Sequence, residues 1–302
     1  MDRHEPIMLK ELIAAINIDK DGCYIDGTYG RGGHSAAVLA RLSDKGKLIA
    51  YDKDLDAEKH ARQHWIGDHR FEFRRQSHAR LGDLLKQTHL REKVSGIFFD
   101  LGVSSPQLGV AKRGFSFNLD GPLDMRMDTT EGITAEQWLN HASLEEIEYV
   151  LRFYGEEPRA KRIAQAIVSG RPLMTTGQLA RVIAGKAGGK NHPATCTFFA
   201  IRLFINQELE DLSKALNSVL DLLKSGGRLA AIAFHSLEDR IVKQFIKKHS
   251  DVPPTVRGLP AATDTEVVLR LKKINRLIRP SAEEIEHNPR ARSARLRVAE
   301  KI

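Results

Sequence analysis

Cysteine is nearly absent from this chain: two in 302 residues, Cys23 and Cys196, far apart and without metal-ligand spacing. That scarcity excludes a disulfide framework, offers no cysteine-based metal site and fits a reducing compartment. Long apolar runs are missing too; none approaches the roughly 18 residues of a membrane span. The first residues mix Asp2, Glu5, Lys10 and Glu11 with apolar ones, unlike a secretory leader. The expectation is a cytoplasmic protein that does not engage a membrane. Internal repeats and low-complexity tracts are also lacking. What is present, 41% hydrophobic and 28% charged residues, excludes disorder throughout and suffices for one large or two smaller domains. Acids are under-represented, giving a net charge of +8, and residues 270–301 alone supply six of those charges. An excess of this sign points toward polyanionic partners such as nucleic acid, although many basic surfaces are only solvated.

Glycine is concentrated in one place. Tyr24-Ile25-Asp26-Gly27-Thr28-Tyr29-Gly30-Arg31-Gly32-Gly33-His34-Ser35 reads as a buried strand, a glycine-dense turn and a helix continuing through Ala36, Ala37, Leu39 and Ala40. Such a turn lets the backbone approach a ligand closely, with the first free N–H groups of the helix directed at it. Taken alone it is equally an ordinary tight βα loop. A second apolar run, Lys47-Leu48-Ile49-Ala50-Tyr51-Asp52, ends in an acid 22 residues after Gly30. A nucleotide-binding βαβ unit places its ribose-binding acid at about 20 residues.

Two candidate cofactors can be separated on these residues. Aligning Gly30-x-Gly32 with the dinucleotide fingerprint puts Ser35 where the third glycine packs beneath a pyrophosphate. Asp26 would repel a pyrophosphate but balance the ammonium or sulfonium of S-adenosyl-L-methionine (AdoMet). AdoMet is therefore favoured, with NAD(P) as the alternative.

Further along, residues 6–16 and 54–64 read as helices, 71–74 as a third strand and 94–100 as a fourth, an unbroken apolar run of the parallel-sheet kind. Loops at the carboxyl ends of parallel strands line the ligand crevice. His78, after the third strand, is thus either a cofactor contact or a surface histidine. Asp100-Leu101-Gly102-Val103-Ser104-Ser105-Pro106-Gln107, after the fourth, is where chemistry is expected. Residues 109–128 form a long loop rich in Gly, Phe, Arg and Met, whose apolar side chains argue against disorder. Capping-box pairs follow at Thr134/Gln137, Ser143/Glu146 and Thr175/Gln178. Residues 109–206 read as a helical insertion between the fourth and fifth strands. A helix over 207–224, ending at Ser225-Gly226-Gly227, returns the chain to a fifth strand at 228–234. The cluster His235-Ser236-Leu237-Glu238-Asp239-Arg240 is either catalytic or, the reading composition favours, a helix N-terminus capped by Ser236. Strands over 266–272 and 294–299 complete an α/β sheet. Between them, residues 288–295 form a basic turn suited to phosphate or to solvent.

These strings together closely resemble the bacterial small-subunit ribosomal RNA methyltransferase H family, also called MraW. The resemblance runs nearly end to end: residues 26–35, 100–108, Arg113-Gly114-Phe115-Ser116-Phe117, 120–128, His192-Pro193-Ala194-Thr195, 235–240 and 288–300. It implies a class I, Rossmann-like AdoMet-dependent methyltransferase sheet, formed by residues 1–108 and 207–302. The all-helical insertion, 109–206, would then recognise RNA. The implied activity is N4-methylation of a cytidine in the decoding centre, at the P site, of 16S rRNA, within the 30S subunit and with a homodimer left open. Cofactor contacts carry over to Gly32, Gly33, His34, Asp52, His78, Asp100 and Gln107, beside Asp26 from the residues themselves; no metal is implied. Cys196 and Phe199 depart from the Arg and Gln usual in the family.

The chemistry singles out Asp100, Ser104 and Ser105 as acceptors for the amine N–H groups, with Pro106 stiffening the loop. Methylation at ring carbon C5 would require a cysteine nucleophile, and neither cysteine follows the fourth strand. Arg113, Arg126, Arg290, Arg292 and Arg295 are candidate phosphate ligands. The competing readings are an NAD(P)-binding oxidoreductase and a ribosome-binding factor without catalysis.

Overall fold

Apolar runs that end in acids become the central strands of a parallel sheet. In this computed structural model residues 6–87, 90–184, 194–252 and 269–302 are described. In chain order they form α1 (Leu9–Ile16), β1 (Cys23–Asp26), α2 (Gly33–Leu39), β2 (Lys47–Asp52), α3 (Leu55–His64), β3 (Phe71–Arg75), α4 (Leu84–Gln87) and β4 (Val94–Asp100). There follow α5 (Ser105–Gly109), α6 (Ala135–His141), α7 (Leu144–Phe153), α8 (Ala160–Ser169), α9 (Thr176–Ala184) and α10 (Ala194–Ile205). The chain then continues through α11 (Glu208–Leu222), β5 (Leu223–Ala233), α12 (Ser236–Ser250), β6 (Leu271–Lys273), α13 (Ala282–His287) and β7 (Arg295–Lys301). Two compact units result: the described residues of Met1–Gly102 with Leu209–Ile302, and those of Val103–Glu208. No helix among the described residues is long and apolar enough to cross a membrane.

The first unit holds a seven-stranded sheet ordered β3-β2-β1-β4-β5-β7-β6, in which β1 to β5 run parallel and β7 pairs antiparallel with both neighbours. Register places Ile25 beside Ile49 and Ile97, and Ile97 beside Leu229. This layer packs on one face with residues of α11 and α12, while Tyr24, Leu48, Phe98 and Ala230 pack on the other with residues of α1, α2 and β7. Burial on both faces explains why these strands lack polar alternation. Sequence order reverses between β1 and β4, the switch point where open α/β sheets leave a crevice. The α/β sheet expected from the sequence is present.

The second unit is helical, and its core joins α6 to α10 with Leu123 and Met125 of the preceding loop. All three capping pairs close: Gln137, Glu146 and Gln178 accept from the backbone N–H of Thr134, Ser143 and Thr175, whose hydroxyls accept in return. Buried polar side chains hold the irregular loop. Arg113 donates to the carbonyls of Arg126 and Met127, both at 3.1 Å. Asn206 accepts from the Met127 N–H at 2.7 Å and donates to the Met125 and Arg202 carbonyls.

Several local expectations change. The buried face of α2 is His34, Ser35, Val38 and Leu39 rather than the alanines. Helix α11 stops at Leu222, before the glycines. Gly226, with φ of +75°, instead lies in an irregularity of β5, where Leu223 stands beside Val94 and Arg228 beside Gly96. His235, not Ser236, is the N-cap residue of α12. Of the sixth strand, the described part is Leu271–Lys273; residues 266–268 lie outside the described residues, as do His192 and Pro193.

Replacing Asn206 by alanine strands the buried Met127 N–H and the Met125 carbonyl, while the Arg202 carbonyl keeps the backbone N–H of residue 206. Chemical denaturation of Asn206→Ala is expected to show a loss of about 2 kcal/mol, the cost of orphaned buried polar groups; a loss below about 0.5 kcal/mol would contradict this account of the loop.

Candidate functional site

Strands β1, β2 and β4 each end in an acid, and adjacent parallel register brings Asp26, Asp52 and Asp100 to one edge of the sheet. The glycine turn crosses that edge. Asp26 accepts from the Thr28 N–H at 2.9 Å and from the Ser35 hydroxyl at 2.7 Å, which ties the turn to the first turn of α2. Asp52 accepts from the N–H of Gly30 at 2.8 Å and of Asp54 at 2.9 Å. Thr28 accepts from the Asp100 N–H at 2.6 Å, joining the turn to β4. Gly30 and Gly32 take φ of +56° and +68°, and a Cβ on Gly32 would strike the Tyr29 hydroxyl. Only glycine fits there without strain.

Burial in this crevice pushes the Asp26 and Asp52 carboxyls up to about 6 and that of Asp100 up to about 7. Asp100 differs from the other two: its Oδ1 is buried without a hydrogen-bond partner, while Oδ2 stands 3.6 Å from Nδ1 of His34. The opposite ring nitrogen, Nε2, lies 3.1 Å from the Ile7 carbonyl, an acceptor only. It therefore carries the hydrogen, leaving Nδ1 as a lone pair toward Asp100 when the ring is neutral. Burial pushes the His34 ring down, which favours its neutral form.

His78 joins the same crevice. Its Nδ1 faces the Gly27 carbonyl at 3.2 Å and its ring meets Phe99 edge-on, but Nε2 is buried without a partner. Burial holds this ring down to about 4, with Lys53 adding to the effect. Two buried polar atoms and three carboxyls that have, among the described residues, no hydrogen-bond and no lysine or arginine partner respectively suit a ligand that is cationic and rich in hydrogen-bond donors. AdoMet, with its sulfonium, ammonium and ribose hydroxyls, fits this donor-poor, acid-lined site. Among the described residues no group of three His, Cys, Asp or Glu side chains is arranged to hold a metal ion.

Ser104, Ser105, Pro106 and Gln107 belong to the second unit. Ser104 is the N-cap residue of α5, Ser105 its first residue and Pro106 its second. The buried Gln107 side chain accepts from the Ser104 N–H at 2.8 Å, so it shapes this turn. In the cluster after β5, Glu238 accepts from the N–H groups of Phe234 and His235, and Asp239 pairs with Arg295 and Arg297. Glu238 and Asp239 lie in the first turn of α12, as composition favoured, whereas the cap expected at Ser236 is His235. Arg113 is buried in its loop, Arg126 is paired with both oxygens of Asp124, and Arg295 is paired with Asp239. Three of the five arginines expected on phosphate are thus engaged within the fold. Phe199 lies under the Arg202 guanidinium, which is also bidentate to Glu208.

Sequence reasoning missed the groups that brace the turn from behind. The Tyr29 hydroxyl accepts from the Trp65 indole at 3.0 Å and is hydrogen-bonded to Nδ1 of His60 at 2.9 Å. Asp211 accepts from both Lys53 and the Ser77 hydroxyl, beside His78. Of these groups Tyr29 stood in a quoted motif; its partners and those of Asp211 lie 31 to 158 positions away and leave no local signal.

The model of the MraW methylase family matches residues 1–302. The chain is 49% identical over 99% of its length to "Ribosomal RNA small subunit methyltransferase H" of Nitrosospira multiformis, and 98% of that protein is covered. The protein of the same name from Shewanella oneidensis is 47% identical, with 99% of this chain and 97% of the relative covered. Solved structures similar to it include an rRNA methylase from Streptococcus thermophilus (TM-score 0.43, 15% identity, covering 100% and 99% of the two chains). Another is a SAM-dependent methyltransferase from Aquifex aeolicus (0.43, 9%, covering 99% and 93%).

A carboxyl raised by the fold binds its proton more tightly folded than unfolded, so its stabilisation is complete below about pH 4 and is lost as pH rises through the folded value. For Asp100 that loss runs up through about pH 7. Wild type should therefore lose stability relative to Asp100→Asn between pH 5 and pH 8, by more than about 1 kcal/mol in urea titrations. Parallel pH profiles for the two proteins would contradict the assignment.

Proposed function

The chain belongs to the MraW methylase family, and from that premise we propose that it methylates small-subunit rRNA, using AdoMet, at N4 of a cytidine in the decoding centre of 16S rRNA. When bound, AdoMet supplies an electrophilic methyl group carried on a sulfonium. Asp52, with Gly32 and Gly33 of the turn, would hold it at the ends of β1 and β2, with His78 offering its unpartnered Nε2. Asp26 keeps the turn in shape and adds negative charge behind it.

The observation that carries the reading is the open Oδ1 of Asp100 at the end of β4. Cytosine N4 is a weak nucleophile because its lone pair is delocalised into the ring. An acceptor for one of its N–H groups returns electron density to nitrogen, and the same group then takes the proton released as the C–N bond forms. Asp100, poised near neutrality, suits that task, and His34 Nδ1 beside its Oδ2 offers the proton an exit. Ser104, Ser105 and the stiffening Pro106, four to six residues on, are proposed to supply further acceptors for the amine. Holding the two reactants in line is the larger part of such catalysis.

Ring-carbon methylation would need a thiolate, and burial pushes the Cys23 thiol up to about 11 within its strand. Cys196 lies in α10 and burial raises its thiol as well. The second unit, separate from the sheet in its core and helical throughout its described elements, is proposed to recognise the RNA around the target base. That base must leave its stack to react. A pyrophosphate cofactor is disfavoured by the acids at Asp26 and Asp100.

Incubation with labelled AdoMet and 16S rRNA, followed by nucleoside analysis, should yield N4-methylcytidine. Asp100→Asn should lower kcat by about 10²-fold or more, in the range of lost general-base catalysis, and Ser104→Ala should lower it less. Wild-type rates for both variants, or label on C5, would contradict the proposal.

A further inference from the structure

The charge excess of residues 270–301 is not explained by the crevice, where no lysine or arginine pairs with the three acids. Part of it converges elsewhere in the first unit. A groove of about 450 Å³ lies between α12 and the β6–β7 edge, and five cations line it: Lys243, Lys247, Lys273, Arg276 and Arg297. No acid is among the lining residues. Two of the cations are neutralised, Lys273 by both oxygens of Asp251 and Arg297 by Asp239. Lys243, Lys247 and Arg276 make no ion pair among the described residues, and all three are exposed.

Geometry restricts what such a groove holds. Lys243 and Lys247 stand four apart on α12, so they project from one helix face about 5–6 Å from each other. Arg276 faces them across a floor that includes Ile246, Ile274 and Val298. A row of strongly hydrated point charges above an aliphatic floor matches a flexible polyanion whose sugars are less polar than its phosphates. A flat bilayer surface would not reach the floor of a concave site. Lysine and arginine side chains, with Asn275 the one uncharged polar residue of the lining, favour contacts to a phosphate backbone over readout of base edges.

We propose that this groove is a second RNA site, binding the phosphodiester backbone of a single-stranded segment of the rRNA substrate through Lys243, Lys247 and Arg276. It rests on the reading that the substrate is rRNA. The site contributes affinity and salt dependence and takes no part in methyl transfer.

The test compares wild type with the triple variant Lys243→Ala/Lys247→Ala/Arg276→Ala. The probe is a fluorescent single-stranded oligoribonucleotide from the 16S decoding region, followed by anisotropy between 50 and 200 mM salt. Each phosphate contact on a single strand contributes about 0.7 to the slope of log K against log salt. The variant should therefore lose about 2 from that slope and bind at least tenfold more weakly at 50 mM salt, with AdoMet affinity by calorimetry unchanged. Lys243→Arg/Lys247→Arg should keep wild-type affinity. Equal slopes and affinities for wild type and triple variant, with rRNA methylation intact, overturn the groove and leave the activity standing. Wild type that binds no RNA at all overturns both. Loss of binding to phosphatidylserine vesicles with RNA affinity unchanged also overturns it, assigning the groove to lipid headgroups.

Discussion

Three carboxyls at one sheet edge, none paired with a lysine or arginine among the described residues, are the constraint around which the first unit is arranged. Burying an acid without a cation is costly, and the fold offsets this by supplying N–H and O–H donors from a turn that glycine alone can form. Asp26 gathers Thr28 and Ser35, and Asp52 gathers Gly30. Thr28 in turn receives the Asp100 N–H, so turn, β1, β2 and β4 are locked into one hydrogen-bonded edge. Partial neutralisation is the other relief, and burial raises all three carboxyls toward neutrality. A cation arriving there would reverse that shift, which gives the site its preference for a positively charged ligand.

Support for this edge comes from far along the chain. The indole of Trp65 and the ring of His60 fix the Tyr29 hydroxyl, whose side chain fills the space a Cβ on Gly32 would take. Asp211, on α11, fixes Lys53 and Ser77 beside His78. In the second unit the same principle holds a long irregular loop: Arg113 and Asn206 satisfy backbone groups that no helix or strand accommodates. Buried polar side chains that hydrogen-bond the backbone replace regular secondary structure there.

Much of this was legible in the amino-acid sequence because the signals are local. Parallel strands buried on both faces read as continuous apolar runs, and their terminal acids marked the crevice at Asp26, Asp52 and Asp100. Capping boxes at Thr134, Ser143 and Thr175 are three-residue patterns and needed no tertiary knowledge. What escaped was decided at a distance. The strand irregularity at Gly226 depends on pairing with β4, so its glycines resembled a helix end. Arg113, Arg126 and Arg295 looked like phosphate ligands because their partners, the Met127 carbonyl, Asp124 and Asp239, are set by the folded loop and by strand β7. The basic groove was invisible for the same reason: its cations come from α12, from β6 and the segment after it, and from β7, separated by up to 54 positions in the chain.

The central claim is that raised carboxyls await a cation, and proton linkage reads it directly. Calorimetric titration of AdoMet at pH 6, repeated in buffers of different ionisation enthalpy, counts the protons exchanged on binding. If the sulfonium comes to rest beside Asp26, Asp52 and Asp100, it lowers their pKa values, so binding should release about one proton, with less released by S-adenosylhomocysteine, which lacks the sulfonium charge. Proton uptake, or no exchange with either ligand, would contradict the account.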